Sequence, residues 1–493
     1  MSGAVVAALL TAFLGAALLA VATLRWVPAQ PVPVVAPSDV DRDFTPAEQR
    51  REQDFRRAVR PWGLATTALD VLVPTVLAAS GAVAGLTAAA PGPWWVAAFA
   101  GVTLVLVVTR LATLPGAVVV RRRSLEAGLA AGTWTRWLRD LVLSFAIGWL
   151  LVSLALVGWI AATRLWPDTW WVVVGAVAAV LVLVMSFLVP VVIEPLFARF
   201  TPLPEGPLRT RLLDLAARDG VAVRDVLVAD ASARTTALNA YVSGLGSTRR
   251  VVVHDTLVDR DRDDEVHAVV AHELGHVVAH DVRTGTVLDA GGAVVGVAGA
   301  AVLLSWGALL EAAHTTSASD PAVVGLLLAA GAWAGLLGAP LQSAVSRRVE
   351  RRADQHCLDL TREPETVAVL HRSLAVSNLG SLRPPRLLQL WFGTHPTSPE
   401  RIAAARVWAA AQGRDEIHDL ADGAAGSAGG YRQPGASGAR SSTQLPSRAT
   451  WTHLRWLTRT SPIASWSHSR AQVGSSWSNR LCQPGRAWIS PFW

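Results

Sequence analysis

Residues 265–282 read EVHAVVAHELGHVVAHDV, and the spacing of the apolar side chains in this stretch predicts an α-helix. The acidic run Asp261–Glu265 precedes it and suits the N-terminus of a helix dipole. His272 and His276 stand four residues apart, so their imidazoles share one helix face and can bind one metal ion. Glu273 can then reach a water molecule on that ion. Because an H-E-x-x-H match also arises by chance, the rest of the sequence must show whether this one is a metal site.

The sequence around this helix is strongly apolar. Hydrophobic residues make up 52% of the 493 residues and charged residues only 16%, whereas a soluble domain carries about 25% charged residues. A lipid bilayer is therefore the expected solvent for much of the chain. This disfavours a soluble enzyme, a disulfide-stapled secreted module and a nucleic-acid binder. Seven stretches reach the roughly 20 apolar residues that a transmembrane helix needs. They are Gly3–Val27, Trp62–Ala88, Trp94–Val120, Leu141–Ala162, Trp170–Val192, Thr286–Leu310 and Pro321–Val345.

Arginine is distributed unevenly among the connections between these stretches, and this distribution predicts the orientation. The first and third connections are rich in arginine, and the short second, fourth and sixth connections carry almost none. Arginine-rich connections remain in the cytoplasm, so the N-terminus is expected outside. The polar blocks Ile193–Arg283 and Ser346–Gly413 and the C-terminus are then cytoplasmic. The two blocks can meet there, although a membrane hairpin separates them in sequence.

A catalytic zinc ion needs three protein ligands, so a third ligand must be found outside the two histidines. Val282 occupies the place where metzincins carry a third histidine. His280 lies about 12 Å from His272 along a helix, too far to share the ion. Glu350 is the best carboxylate candidate, and Asp354 shares its helix face and could orient a metal-bound imidazole. The alternative is that both belong to an ordinary charged flank of the seventh span.

Five ordered segments between about Ile193 and Arg406 carry a family resemblance. They are Glu194-Pro195-Leu196-Phe197 with Phe200-Thr201-Pro202-Leu203, then Asn239-Ala240-Tyr241-Val242-Ser243-Gly244, His272 to His276, Ser346-Arg347 with Glu350 and Ala353-Asp354, and Thr394-His395-Pro396 with Glu400-Arg401-Ile402. In these segments the chain resembles the membrane-embedded zinc metallopeptidases of the CAAX prenyl protease 1 type, a gluzincin family related to the bacterial membrane protease HtpX.

The resemblance implies a role for each matching residue. His272, His276 and Glu350 would bind one zinc ion (Zn2+) per chain, Asp354 would support them, and Glu273 would act as general base. His395 would stabilise the oxyanion, although a histidine before proline can also be merely structural. The segment containing Asn239, Ala240 and Tyr241 would pair with an extended substrate, or be an ordinary strand. The implied substrate is a peptide or a membrane protein; whether it is prenylated, and the oligomeric state, stay open.

The predicted fold is a mainly α-helical integral membrane protein with about seven transmembrane helices and a cytoplasmic α+β gluzincin domain. Residues 1–192 form a five-span membrane domain, and residues 193–413 form the metallopeptidase domain, split by the spans at 286–310 and 321–345. A helix at Leu208–Ala217 and strands at Val221–Val228 and Arg250–Val253, the second after the turn Gly244–Ser247, are expected in it. Residues 414–493 form a linker and an Arg/Trp/Ser-rich tail, predicted to be disordered.

Two other functions are compatible with parts of the sequence. One is an intramembrane site-2-type protease, in which H-E-x-x-H lies inside a span and an aspartate such as Asp289 supplies the third ligand. The other is a non-catalytic membrane protein, a transporter or a scaffold, although Asp70, Arg110 and Asp289 are few intramembrane charges for transport. Cys357 is expected to be a small buried apolar side chain.

Overall fold

The computed structural model describes residues 2–244, 249–258 and 262–421. In chain order the described helices and strands are α1 (Gly3–Trp26), α2 (Pro37–Asp43), α3 (Pro46–Ala79), α4 (Ala82–Ala89), α5 (Trp94–Glu126), α6 (Trp134–Leu165), α7 (Trp170–Leu188), β1 (Phe200–Pro202), α8 (Pro207–Arg218), β2 (Asp225–Ala229), β3 (Ala240–Ser243), β4 (Arg250–His254), α9 (Asp255–Val258), α10 (Asp263–Val278), α11 (Asp281–Leu303), α12 (Gly307–Ala312), α13 (Val323–Thr361), α14 (Pro364–Asn378), α15 (Arg386–Phe392) and α16 (Ser398–Ala411).

Within these residues, seven helices are long and apolar enough to cross a membrane, which confirms the predicted number. They are α1, α3, α5, α6, α7, α11 and α13. Several extend beyond the apolar stretch. Helix α3 begins at Pro46, behind a capping box in which Thr45 accepts from Glu48 N, and its polar first half precedes the stretch that begins at Trp62. Helix α13 continues 16 residues past Val345, and this extension carries Glu350.

The polar connections collect at one end of the helix bundle. Val40 and Phe44, from the first connection, are buried in the same apolar core as Leu274 of α10. The connection between α5 and α6 also joins this end, since Ala131 N donates to Arg234 O at 2.9 Å. The arginine-rich connections therefore lie on one side of the bundle with the soluble domain, the name used here for the two polar blocks Ile193–Arg283 and Ser346–Gly413. That this side is cytoplasmic stays a prediction, as do the domain limits at residues 192 and 413.

The short connections meet at the opposite end of the bundle. Thr163 Oγ1, at the end of α6, donates to Ala318 O at 3.2 Å, and Arg164 donates to Ser319 O. His314, after α12, lies 3.1 Å from the carbonyl oxygen of Ala79. The two ends thus differ in the way that the arginine distribution predicts.

The soluble domain contains a four-stranded sheet in the order β1-β2-β4-β3. Strands β2 and β4 are parallel, while β1 pairs with β2 and β3 with β4 in antiparallel register. Val226, Val242 and Val251 bury one face of the sheet in the core that contains α8 and α10. The antiparallel β3–β4 pair confirms the predicted hairpin. Residues 245–247 of the predicted turn lie outside the described part, as does the tail from residue 422 onward. Strand β3 is an edge strand of this sheet.

The helix predicted over Glu265–Val282 is shorter in the structure. Helix α10 ends at Val278, and His280 adopts a left-handed conformation with φ of 54° before α11 begins at Asp281. The prediction is wrong at this end because the apolar periodicity continues through the break, and periodicity does not detect one left-handed residue. The sixth span accordingly begins five residues before Thr286 and ends at Leu303.

Candidate metal centre

Helices α10 and α13 approach each other closely at Gly275, the fourth residue of the H-E-x-x-H sequence. A Cβ atom at this position would lie 3.1 Å from Cβ of His356 and 3.2 Å from Cα of Ala353. Such contacts are tighter than a well-packed interface tolerates without movement, so a glycine lets the two backbones approach. This approach brings the two histidines of α10 beside Glu350 of α13.

Three side chains converge at this crossing. Nε2 of His272 lies 3.3 Å from Nε2 of His276 and 3.3 Å from Oε2 of Glu350, and Nε2 of His276 lies 3.8 Å from Oε1 of Glu350. Their side chains are only 13%, 6% and 9% exposed. A tetrahedral ion with ligands at about 2.0–2.2 Å separates those ligands by roughly 3.3–3.6 Å. The two 3.3 Å separations fall in this range and the 3.8 Å separation lies just above it, so the three side chains can hold one small divalent cation.

Each of the two imidazoles is oriented by a carboxylate on its other ring nitrogen. Nδ1 of His272 lies 2.9 Å from Oδ1 of Asp354, and Nδ1 of His276 lies 2.9 Å from Oδ2 of Asp281. A carboxylate in this position favours the tautomer with the proton on Nδ1, which leaves the Nε2 lone pair free for a metal. Asp354 thus lies where it can orient His272, and its role at a metal ion stays a prediction.

Asp281 was not predicted from the sequence. On a continuous helix, a residue five positions after His276 would point about 140° away from it. The left-handed conformation of His280 breaks the helix and brings Asp281 back to the imidazole. No spacing rule detects this contact, and the only signal is a carboxylate shortly after the second histidine.

Two arginines hold these carboxylates in turn. Arg352 of α13 donates to Asp281, and Arg401 of α16 donates through Nε to Asp354 at 2.7 Å. Nη2 of Arg401 also lies 3.5 Å from Oε2 of Glu350. Arg401 belongs to the last of the five resembling segments, but the resemblance assigns it no role. These arginines balance the charge of a buried, carboxylate-rich site.

Two further histidines lie beside the cluster formed by His272, His276 and Glu350. Nε2 of His395 is 3.4 Å from Oε1 of Glu350, its Nδ1 is 2.9 Å from Thr394 Oγ1, and its side chain is 25% exposed. Burial lowers the pKa of His395. His371 of α14 was not predicted; its Nε2 lies 3.8 Å from Oδ1 of Asp354. Burial, assisted by the charge of Arg401, lowers the pKa of His371 to about 3, so this imidazole is neutral.

Glu273 follows the first ligand on α10 and is partly buried. Burial raises the pKa of its carboxyl, and the neighbouring His276 and His272 act in the opposite direction. A carboxyl with a raised pKa is better matched to proton transfer near neutral pH than an exposed glutamate.

The segment expected to bind substrate lies at the sheet edge. Ala240 and Tyr241 are buried in β3, and Asn239 precedes the strand with its carbonyl oxygen accepting from His254 N at 3.0 Å. The hydroxyl of Tyr241 donates to Glu194, which follows the fifth span. Burial raises the pKa of the Glu194 carboxyl, although the Tyr241 hydrogen bond lowers it in part. This contact ties the edge strand to the end of the membrane domain, and pairing with a substrate stays a prediction.

The remaining candidates take structural positions. Cys357 is 2% exposed and lies 3.3 Å from Ala268 O, as expected for a small buried side chain. An intramembrane protease would require α10 inside a span, but α10 begins with Asp263, Asp264 and Glu265 and is not among the seven apolar helices. The carboxylate beside both imidazoles is that of Glu350.

The chain matches two family models that together cover most of the described residues. Residues 202–409 match Peptidase family M48, and residues 35–199 match the model described as CAAX prenyl protease N-terminal, five membrane helices. Residue 202 is the last residue of β1, and residue 409 lies in α16, so the first match contains the whole cluster.

Similar proteins extend this comparison. The chain is 31% identical over 303 residues to the "Uncharacterized metalloprotease YhfN" of Bacillus subtilis, covering 60% of this chain and 70% of that protein. It is 30% identical over 268 residues to the "Probable CAAX prenyl protease 1" of Schizosaccharomyces pombe, covering 54% of this chain and 56% of that protein.

The crystal structure of S. mikatae Ste24p has the same fold, with a TM-score of 0.67 over 81% of this chain and 98% of that chain, at 19% identity. This chain and Ste24p therefore share one fold over most of their lengths. The chain belongs to peptidase family M48, as a multi-span membrane metallopeptidase of the CAAX prenyl protease 1 type.

Proposed function

We propose that this protein is an integral-membrane zinc metalloendopeptidase that cleaves peptide bonds on the cytoplasmic side of the membrane. The observation that carries the proposal is the convergence of His272, His276 and Glu350, whose ligand atoms lie within 4.8 Å of one another, with a carboxylate at the second ring nitrogen of each imidazole. Two histidines and a glutamate, with the fourth position open, are a known ligand set of catalytic zinc. Among the described residues, no other group of three such side chains is arranged to hold a metal ion.

A zinc ion held by His272, His276 and Glu350 would supply a Lewis acid for the scissile carbonyl. Glu273 would take a proton from the attacking water and pass it to the departing amine nitrogen. His395, at the rim of the cluster, donates a hydrogen bond from Nε2 to the developing oxyanion. Asp354 and Asp281 keep the two imidazoles in orientation, and their charge makes the imidazoles better ligands.

The proposed substrate is an extended peptide or a segment of a membrane protein. Strand β3 is an edge strand of its sheet and packs on α10, which carries the cluster. An extended peptide can pair with such an edge through backbone hydrogen bonds, and this mode tolerates different side chains. Ala240 and Tyr241 lie in this edge strand, and Asn239 directly precedes it. The similarity to CAAX prenyl proteases makes prenylated peptides one class to test.

The direct test uses the purified full-length chain in lipid nanodiscs. Cleavage of a labelled unfolded protein and of a farnesylated C-terminal peptide is measured side by side. We expect a chelator to abolish cleavage and one equivalent of zinc to restore it. Cleavage that survives complete removal of the metal contradicts the proposal.

A variant separates the metal from the base. Glu273→Gln should retain the metal and lose roughly 10²–10⁴-fold in turnover, because the amide does not accept the proton. Asp264→Asn, an exposed change on the same helix, is the matched control and should leave turnover unchanged. Unchanged turnover in Glu273→Gln would show that another group is the base.

A further inference from the structure

A basic cavity lies beside the membrane, on the same side as the soluble domain. The polar first half of α3 forms one wall, and the connection between α14 and α15 forms the other. The volume is about 200 Å³, far more than the roughly 15 Å³ that one water molecule requires. The side chains that define its chemistry are Glu52, Arg56, Arg57, Arg60, Leu382 and Arg383.

The charge of this cavity is strongly unbalanced. Four guanidinium groups face one carboxylate, that of Glu52, which lies 3.9 Å from Nε of Arg56. Arg383 has a partner outside the cavity, Asp41 at 2.8 Å. In the described part of the chain, Arg57 and Arg60 have no carboxylate within 4.0 Å. Arg60 interacts with Glu52 only at longer range, so neither of these two cations forms a close ion pair in the described structure.

One arginine is fixed in the wall rather than available for a ligand. Arg56 is 7% exposed, and its Nε and Nη2 donate to the carbonyl oxygen of Leu379 at 3.0 and 2.6 Å. Leu379 ends α14 in a left-handed conformation, so Arg56 caps that helix. The cavity is therefore built on buried contacts between two elements and is not a row of surface side chains.

The position of the cavity relative to the bilayer follows from α3. Trp62, at the start of the apolar stretch, is 42% exposed, and Leu64 is 40% exposed, as suits side chains that face lipid. Arg60 precedes Trp62 by two residues, or about 3 Å along the helix axis. The unpaired guanidinium groups thus stand at the depth of the lipid headgroups.

We propose that this cavity binds the phosphate group of an anionic phospholipid from the adjacent leaflet. Arginine matches phosphate oxygens through paired, charge-assisted hydrogen bonds. Basic pockets at the cytoplasmic surface of transmembrane helices favour anionic over zwitterionic headgroups. The general excess of arginine on the cytoplasmic side of a membrane would explain the orientation of α3, but it does not require that these arginines line a cavity. The proposal does not depend on the metal centre.

The test measures lipid binding to the full-length chain in detergent. The melting temperature is recorded while dioleoyl phosphatidylglycerol or dioleoyl phosphatidylcholine is titrated, since a ligand of the folded state raises it. We expect phosphatidylglycerol to raise the melting temperature saturably and phosphatidylcholine to have a much smaller effect. Arg57→Gln with Arg60→Gln should weaken phosphatidylglycerol binding roughly tenfold or more, because two charge-assisted contacts are lost.

The control keeps the same loss of charge on the same side of the membrane. Arg122→Gln with Arg123→Gln removes two exposed arginines of α5 that lie outside the cavity, and it should bind phosphatidylglycerol normally. The exposed single change Arg57→Glu should also weaken binding and is the least demanding on folding. Equal binding of both lipids, or equal losses in the cavity and control variants, would overturn the proposal. Saturation by millimolar inorganic phosphate in place of lipid would also overturn it, in favour of a soluble phosphate ligand.

Discussion

Replacing Asp281 by asparagine tests whether the carboxylate behind a ligand histidine contributes to metal binding. The 2.9 Å contact between Oδ2 of Asp281 and Nδ1 of His276 makes the imidazole a more basic and better oriented ligand. Asparagine has nearly the same shape and can still accept a hydrogen bond, but it carries no charge. Arg352 remains beside residue 281, so the change also leaves the positive charge of Arg352 without its carboxylate partner there.

The expected magnitude follows from other sites of this type. Loss of such a partner weakens metal binding by roughly 10–100-fold, or about 1.4–2.7 kcal/mol. We expect Asp281→Asn to fall in this range, since the aspartate side chain is only 3% exposed and water does not replace it. The dissociation constant for zinc is measured by competition with a chelator of known affinity, with the full-length chain in detergent.

The matched control is Asp225→Asn in β2. Asp225 also pairs with an arginine, Arg209 at 3.0 Å, but it belongs to the sheet and not to the cluster. This variant should bind zinc as the unmodified chain does. If Asp281→Asn keeps its zinc affinity within about twofold, or Asp225→Asn loses as much, the assignment of Asp281 is wrong.

Three further changes test the packing and the chemistry of the site. Gly275→Ala should lower the free energy of unfolding, measured in thermal melts, by about 1–2 kcal/mol, because the added Cβ pushes α10 away from α13. The same displacement should weaken zinc binding. The control Gly292→Ala has open space around its Cβ and should change neither quantity. His395→Ala should reduce turnover roughly 10²–10³-fold with the metal content unchanged, and equal turnover would exclude the oxyanion role. Tyr241→Phe should lower the melting temperature, since a buried hydrogen bond to Glu194 worth about 1–2 kcal/mol is lost; an unchanged melting temperature and unchanged cleavage would contradict it.

Much of the site could be predicted because its chemistry follows helical spacing. His272 and His276 share a face at an interval of four, and so do Glu350 and Asp354. The structure places both pairs at one crossing, with Asp354 beside His272 as expected. The number of membrane helices could also be predicted, because it follows from the length and hydropathy of the apolar stretches.

The contacts that support the ligands could not be predicted, because each depends on tertiary structure. Asp281 reaches His276 only through the break at His280. Arg401 and His371 arrive from α16 and α14, far along the chain, and no interval relates them to the cluster. Their positions depend on how the helices pack, which hydrophobic periodicity does not specify.

The contribution of the first connection to the soluble core was missed for a similar reason. Val40 and Phe44 lie between two apolar stretches and form no long periodic pattern, but both are almost completely buried against the metallopeptidase domain. The arginines of this connection predict orientation alone when the sequence is taken by itself. Three of them, Arg56, Arg57 and Arg60, line the basic cavity.

The most direct measurement is the metal content of Glu350→Gln compared with that of the unmodified chain. By mass spectrometry of purified protein, the unmodified chain should hold about one zinc ion, and Glu350→Gln should hold almost none at the same free zinc concentration. Glu363→Gln, an exposed change after the end of α13, is the control and should retain the ion. Retention of one tightly bound zinc by Glu350→Gln would contradict the three-ligand centre on which the proposed activity depends.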